Sequence, residues 1–357
     1  MTHYALRSSV EVFPAPGGDV YLLRPGGGDD LVVEAASAED AALLRALSAG
    51  PLELEPDSRE AGRLAPLVEA DAVIARAAPA APLPPQDAAR FSRQLPYLTE
   101  LTGDAPEDAQ HRLREARVVM IGAGGSGTWT LSALACLGIG EVVLVDDDVI
   151  ELSNLNRQVL FRTEDLGRPK AEVAASWVRG LDPSMDVVPS VQRIRSAADL
   201  APLLRGAAAL IVAADWPPYE LERWANAACI EAGVPFLTAG QRLPIVRIGP
   251  TYVPGAGPCL ECQERDLRAR FPFYDDLARH RQELGTDGQP ALGPPFGVAG
   301  SLLAMEVMHL ILGVRPLATE GRALVMDLRT LETRWEVTER DPRCPACGPR
   351  ARQHTST

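Results

Sequence analysis

The chain is 357 residues long, 46% hydrophobic, and carries a formal net charge of −13. That length holds one large domain and one small one, and the apolar share is ample for a core. The acidic balance argues against nucleic acid as a partner. Residues 1–20 lack the continuous apolar segment of a signal peptide, and no run reads as a membrane span, so a cytoplasmic protein without a membrane partner is expected.

Residues 1–80 read as a small α+β module. Ala5–Phe13 alternates as one strand, the turn Pro16–Asp19 leads to a second over Val20–Arg24, and Gly26–Asp30 leads to a third over Leu31–Glu34. That is a three-stranded meander. Ser37 and Asp40 have capping-box spacing ahead of a helix over Ala41–Leu47. A helix over Arg59–Ala70 and a closing strand over Ala72–Ile74 complete the module. A Pro/Ala run begins at Ala77, and residues 81–89 read as a linker.

Residues 90–348 read as the second domain. A polar helix over Glu107–Glu115 precedes a strand over Arg117–Ile121, a glycine cluster, and a helix over Thr128–Leu137. Gly122, Gly124 and Gly127, with Gly125 among them, give G-x-G-x-x-G spacing in the strand–turn–helix context that motif requires. Such a turn lets backbone N–H groups approach a phosphate at a helix N-terminus. The next strand, Val142–Val145, ends in Asp146, Asp147 and Asp148, where an acid accepts from ribose hydroxyls. Helices over Ala171–Arg179, Ala197–Leu204 and Pro218–Glu231 alternate with strands over Asp186–Val191, Ala208–Ala213 and Phe236–Ala239. An antiparallel section follows over Arg242–Val253. The fold class is α/β: a Rossmann-like, doubly wound, mostly parallel sheet extended by antiparallel strands, behind a small winged-helix-like domain. Asp215 closes a strand at the carboxyl edge, as a ligand-site acid or as the N-cap of the helix after it. Residues 263–297 are charged and aperiodic and read as a long loop. A buried helix over Val298–Leu312 and strands over Ala323–Asp327 and Thr333–Val337 close the domain, and residues 349–357 read as a disordered tail.

Four of the six cysteines form two C-x-x-C pairs, Cys259/Cys262 and Cys344/Cys347. Brought together they make a closed thiolate site for structural Zn²⁺. Cys136 and Cys229 sit in helical patterns and read as small buried apolar residues.

RFSRQ (Arg90–Gln94), GAGGSG (Gly122–Gly127), VDDD (Val145–Asp148), SNLNRQ (Ser153–Gln158), GRPK (Gly167–Lys170) and AAD (Ala213–Asp215), with the paired cysteines, resemble the MoeB/ThiF family, bacterial relatives of ubiquitin-activating enzymes. The resemblance implies ATP- and Mg²⁺-dependent adenylation of a carboxylate with release of pyrophosphate. It assigns Arg157 and Lys170 to the phosphates, Asp215 to magnesium, Asp146 to ribose, and Asn154 to orienting phosphate or carboxylate; Asp148 assists Asp146 or a metal. It implies a homodimer in which Arg93 reaches the partner's site, and a crossover loop over residues 263–297. Residues 1–80 resemble the peptide-binding element of enzymes that modify ribosomally made peptides, as in the microcin C and pantocin enzymes. That implies a ribosomal precursor peptide held by the N-terminal domain. The alternatives are a sulfur-carrier protein ending in Gly-Gly as substrate, a leader-peptide-binding scaffold serving a cyclodehydratase, and a hydride-transferring Rossmann protein.

Overall fold

The computed structural model of the chain describes residues 1–15, 18–24, 29–34, 36–284 and 290–348, which divide into two compact units, Met1–Arg112 and Leu113–Thr357. Residues 16–17 and 25–28 of the expected hairpin turns, and the tail 349–357, lie outside the described residues.

The first unit runs β1 (Thr2–Leu6), β2 (Glu11–Pro14), β3 (Val20–Leu23), β4 (Leu31–Val33), α1 (Ala38–Ala49), β5 (Leu52–Leu54), α2 (Arg59–Glu69), β6 (Val73–Arg76), α3 (Pro85–Arg90), α4 (Leu95–Thr102) and α5 (Pro106–Glu115), which crosses the division. Strands β2, β3 and β4 form the expected antiparallel meander. The single strand expected over Ala5–Phe13 is instead two strands in two sheets, because β1 pairs with β5 and β6. A turn intervenes: the Val10 N–H donates to the Arg7 carbonyl, and the Arg7 N–H to Ala72 O. Val10 still faces the core with Tyr4, Leu22, Leu44, Leu47, Leu64 and Val73, while Ser8 and Ser9 at the bend are exposed. Helix α1 starts where Ser37 and Asp40 exchange capping bonds, and Arg63 of α2 pairs with Glu39 and Asp40. The compact division falls at 112/113. Ala80 N–H donates to the Asp108 carboxylate (2.9 Å) and Arg7 to Glu100 (2.8 Å), which ties α4 and α5 to the first unit.

The second unit runs β7 (Arg117–Ile121), α6 (Gly125–Leu137), β8 (Glu141–Val145), α7 (Lys170–Leu181), β9 (Asp186–Ser190), α8 (Ala197–Leu200), β10 (Ala209–Val212), α9 (Glu220–Ala232), β11 (Phe236–Arg242), β12 (Ile245–Tyr252), α10 (Leu260–Arg270), α11 (Tyr274–Leu284), α12 (Gly293–Leu312), β13 (Arg322–Asp327) and β14 (Thr333–Val337). One eight-stranded sheet has the order β14-β13-β12-β11-β10-β7-β8-β9, parallel from β11 to β9 and antiparallel from β11 to β14. Its parallel strands are nearly continuous apolar runs, as strands covered on both faces must be. The chain leaves β7 toward β8 and β9 and returns on the other side to β10. The carboxyl ends of β7 and β10 therefore flank the switch point where such sheets bind ligands.

Two expectations give way here. Residues 263–297 are not one long loop, because α10 and α11 occupy much of the stretch. Arg268–Glu264 and Arg270–Asp266 pairs at i,i+4, and Arg279–Asp276 at i,i+3, support helices with little apolar periodicity. And α12 is long and apolar enough to cross a bilayer, with half of its apolar window buried inside the protein. It is used as a core helix. Gly300 lets it press on α6, where a Cβ would lie 2.7 Å from Trp129 Cβ, and its Glu306 accepts from Thr319 N–H at 3.0 Å.

Candidate functional site

The glycine turn between β7 and α6 divides its labour. Gly122 has φ +99°, and a Cβ there would lie 2.7 Å from Ala214 N. Cβ atoms at Gly125 and Gly127 would lie 2.6 Å from the Phe296 ring and 2.1 Å from Gly122 O. Those three glycines let strand, turn and α12 close on one another. Gly124 differs: a Cβ there would meet nothing nearer than Gln158 Nε2 at 4.0 Å, and it caps α6 without a side-chain bond. The first N–H groups of α6 thus open onto the free side of the turn, an anion-binding arrangement. Gly127→Ala is expected to abolish ATP binding in calorimetry, since the turn must move to admit a methyl group; unchanged binding would remove the turn from the site.

Asp146 is fixed by two backbone donors, Ala123 N–H to Oδ2 (2.6 Å) and Asp148 N–H to Oδ1 (2.9 Å). Burial raises its pKa above the usual carboxylate range, opposed by those two bonds and by nearby Lys170. Lys170 opens α7, is 6% exposed, and places Nζ 2.9 Å from Asp148 Oδ2. It is the only lysine in the chain. A cavity of about 470 Å³ gathers Gly122, Asp146, Asp147, Asp148, Arg193, Asp215 and Trp216. Arg193 meets Asp147 at 2.8 Å, and Asp215 lines the same cavity as Asp146 and Asp148. Two of these carboxylates already have a cationic partner, and the oxygens of the gathered acids suit a hard divalent ion such as Mg²⁺. Asp215 is not the N-cap of α9; that position is Tyr219, four residues further on past Trp216, Pro217 and Pro218, so the capping role falls away.

The SNLNRQ stretch is held differently. Asn154 is buried, and its Oδ1 accepts from Glu151 N–H at 3.0 Å, closing a short 3₁₀ turn over Leu152–Asn154. Arg157 donates to Ser153 O (2.6 Å) and Asn156 Oδ1 (3.0 Å), within its own loop. Neither residue lines the cavity. What carries this loop to the glycine turn is Gln158, buried, with Oε1 unpartnered among the described residues. Arg93 is exposed in the turn between α3 and α4 and belongs to the first unit.

Sequence reasoning missed Gln158, although it stands inside a quoted motif, and missed Arg193 and Trp216 as cavity walls. The solitary lysine was a signal available by counting.

The four paired cysteines do converge. Sγ–Sγ distances are 3.9 Å (Cys259–Cys262), 3.6 Å (Cys259–Cys344) and 3.5 Å (Cys262–Cys347), and all four sulfurs lie within 4.8 Å of one another. Those spacings are too long for disulfides, at about 2.05 Å. They match the edges of a tetrahedron with metal–sulfur bonds of about 2.3 Å, as zinc takes. Cys229 is buried as expected, and burial pushes its thiol up to about 12, which makes it a poor nucleophile at neutral pH. Cys136 is exposed, against expectation, because it lies on the outer face of α6.

The sequence pattern of the ThiF family matches residues 92–346. The SAMP-activating enzyme E1 of Haloferax volcanii is 34% identical over 259 residues, 72% of this chain and 88% of that protein. The sulfur carrier protein ThiS adenylyltransferase of Escherichia coli K12 is 32% identical over 266 residues, 74% of this chain and 96% of that protein. Among solved structures, E. coli MccB with ATP superimposes with a TM-score of 0.72 at 26% identity, covering 97% of this chain and all of that one. The microcin C7 biosynthetic enzyme MccB in complex with N-formylated MccA gives 0.73 at 26% identity, with 97% of this chain covered. A glycine turn opening a helix N-terminus, a buried lysine beside an acid-lined cavity, and this pattern of relatives place the chain in the ThiF family of ATP-dependent adenylyltransferases.

Proposed function

We propose that the protein adenylates a carboxylate of a ribosomally made precursor peptide, with the first unit holding that peptide. The observation that carries this is one of coverage. The SAMP-activating enzyme and the ThiS adenylyltransferase match about three quarters of the chain in sequence, whereas the microcin C7 biosynthetic enzyme MccB, solved with N-formylated MccA, superimposes over 97% of it, the first unit included.

The first unit's own surface supports the reading. Residues 1–80 carry thirteen Asp or Glu against six Arg and no Lys, a net charge of −7. On the meander sheet, Phe13, Tyr21 and Val32 stand side by side across β2, β3 and β4, and Phe13 and Val32 are about half exposed. An apolar row on a unit of net negative charge suits a short peptide with apolar and basic residues, docked by its side chains or added at a strand edge.

In this reading the peptide carboxylate, already ionised at neutral pH, attacks the α-phosphorus of ATP and pyrophosphate leaves. No general base is required. The α6 N-terminus, Lys170 and Arg157 neutralise charge on the phosphates, Asp215 and its neighbouring acids hold Mg²⁺, Asp146 takes the ribose, and Asn154 orients phosphate or carboxylate. For Arg157 to act, it must exchange its loop partners for phosphate oxygens. Arg93 reaches the site of a second copy in a homodimer. Zn²⁺ on the four cysteines is structural, since four protein ligands leave no open position.

A sulfur-carrier protein ending in Gly-Gly is the second reading, favoured by sequence identities above 30%. The test is ATP–pyrophosphate exchange by the full-length chain, supplied either with the short peptides encoded beside its coding sequence or with a Gly-Gly-ended carrier. Exchange driven by a peptide, and lost in Asp215→Ala, is the expected result. Exchange driven only by the carrier would overturn the proposal.

A further inference from the structure

The loop that presents Asp215 is held from outside itself. Tyr219 ends that loop with φ +66° and ψ −40°, a left-handed backbone that a bulky L-residue rarely adopts. A conformation of that kind persists only where neighbours over-determine it. Here the neighbours are on α11. Arg281 Nη1 donates to Tyr219 Oη at 2.6 Å, and Gln282 Nε2 donates to Pro218 O at 3.2 Å. The Tyr219 ring meets Tyr274 edge-on, with centroids 6.1 Å apart.

Helix α11 has little else to hold it, since only Tyr274 and Ala278 of its eleven residues are buried. Its own anchor is again polar: Tyr274 Oη donates to Glu264 at 3.4 Å, and buried Glu264 also accepts from Arg223 of α9 (2.9 Å) and Arg268 of α10 (3.0 Å). A network of charge-assisted bonds thus ties three helices together, and its outermost contact lands on the loop of Asp215. Such bonds add directional restraint where apolar packing would not.

We propose that Arg281 is a positioning residue that acts through the Tyr219 hydroxyl to set Asp215 for its divalent cation. This rests on the reading of Asp215 as a ligand of Mg²⁺. The test is calorimetric ATP binding by the full-length protein, once in EDTA and once across a Mg²⁺ series. For Arg281→Ala we expect unchanged ATP affinity in EDTA and a Mg²⁺-dependent gain in affinity reduced about tenfold, the scale of one lost charge-assisted hydrogen bond. Tyr219→Phe, which removes only the hydroxyl, is expected to show the same loss, and the double variant no more than either. Arg281→Lys is expected to recover most of the gain, because an ammonium can still donate to the hydroxyl. If Arg281→Ala unfolds, Tyr219→Phe decides alone. A full Mg²⁺-dependent gain in Tyr219→Phe, with that gain absent in Asp215→Ala, would overturn the positioning role and leave the cation ligand standing. A full gain in Asp215→Ala would remove both.

Discussion

Lys170→Met is expected to lower ATP–pyrophosphate exchange by about 10²–10³-fold, the cost of deleting one preorganised charge partner from a reacting centre. It is expected to leave the melting temperature almost unchanged. The second half of that expectation comes from where the lysine stands. It is the first residue of α7, so its charge opposes the helix dipole, and it is 6% exposed, so its charge is largely desolvated. Its partner Asp148 has a side chain 60% exposed and stays hydrated when the ammonium is gone. A buried cation at a helix N-terminus with one half-solvated partner is poorly explained by stability. It is well explained by an anion that arrives later. Exchange kinetics and thermal denaturation of the same variant check both halves. Unchanged exchange would detach Lys170 from the phosphates, and a collapse in melting temperature would make it a structural ion pair.

The second large effect concerns the four-cysteine cluster. Cys344→Ser is expected to lose about one equivalent of zinc and to lower the melting temperature by at least ~10 °C. Structural zinc contributes about 10 kcal/mol or more to the segments it closes, and 1 kcal/mol moves a domain of this size by about 2–4 °C. The bridge joins the start of α10 to the chain's last turns across 85 residues. Gly348 fits only because it lacks a side chain, since a Cβ there would lie 2.5 Å from Cys344 O. A chelator-released zinc count and a melting curve with and without chelator check this. A metal-free preparation with an unchanged melting curve would show that the sulfurs are merely packed.

Much of the second unit was legible because its signals are local. Apolar runs of strand length, glycines with a fixed job, and C-x-x-C pairs each declare themselves within a few residues. The first unit was less so. The turn at Arg7–Val10 shows in the sequence only as the polar run Arg7-Ser8-Ser9, and it is easily read through because Val10 returns to the inward face while the chain changes sheets. Helices α10 and α11 were hidden for the opposite reason: they are held by ion pairs such as Arg268–Glu264, and a hydrophobic period is nearly absent. The cavity walls were hidden by distance. Arg193 meets Asp147 from 46 residues away, and Arg281 meets Tyr219 from 62. Asp215 was found by motif, but its expected capping role depended on the helix starting four residues earlier than it does.

The solitary lysine has a chemical consequence. Acyl-adenylates that escape an active site acylate amines, and a typical protein surface offers dozens of lysine ammonium groups to them. This chain offers two amines, the Met1 terminus beside Glu55 and a Lys170 ammonium enclosed next to Asp148. The other 34 of its 35 Lys and Arg residues are arginines, which stay protonated and do not react, and five histidines hold the remaining titratable side-chain nitrogens. An enzyme that makes electrophiles has here almost no amine of its own on which to lose them.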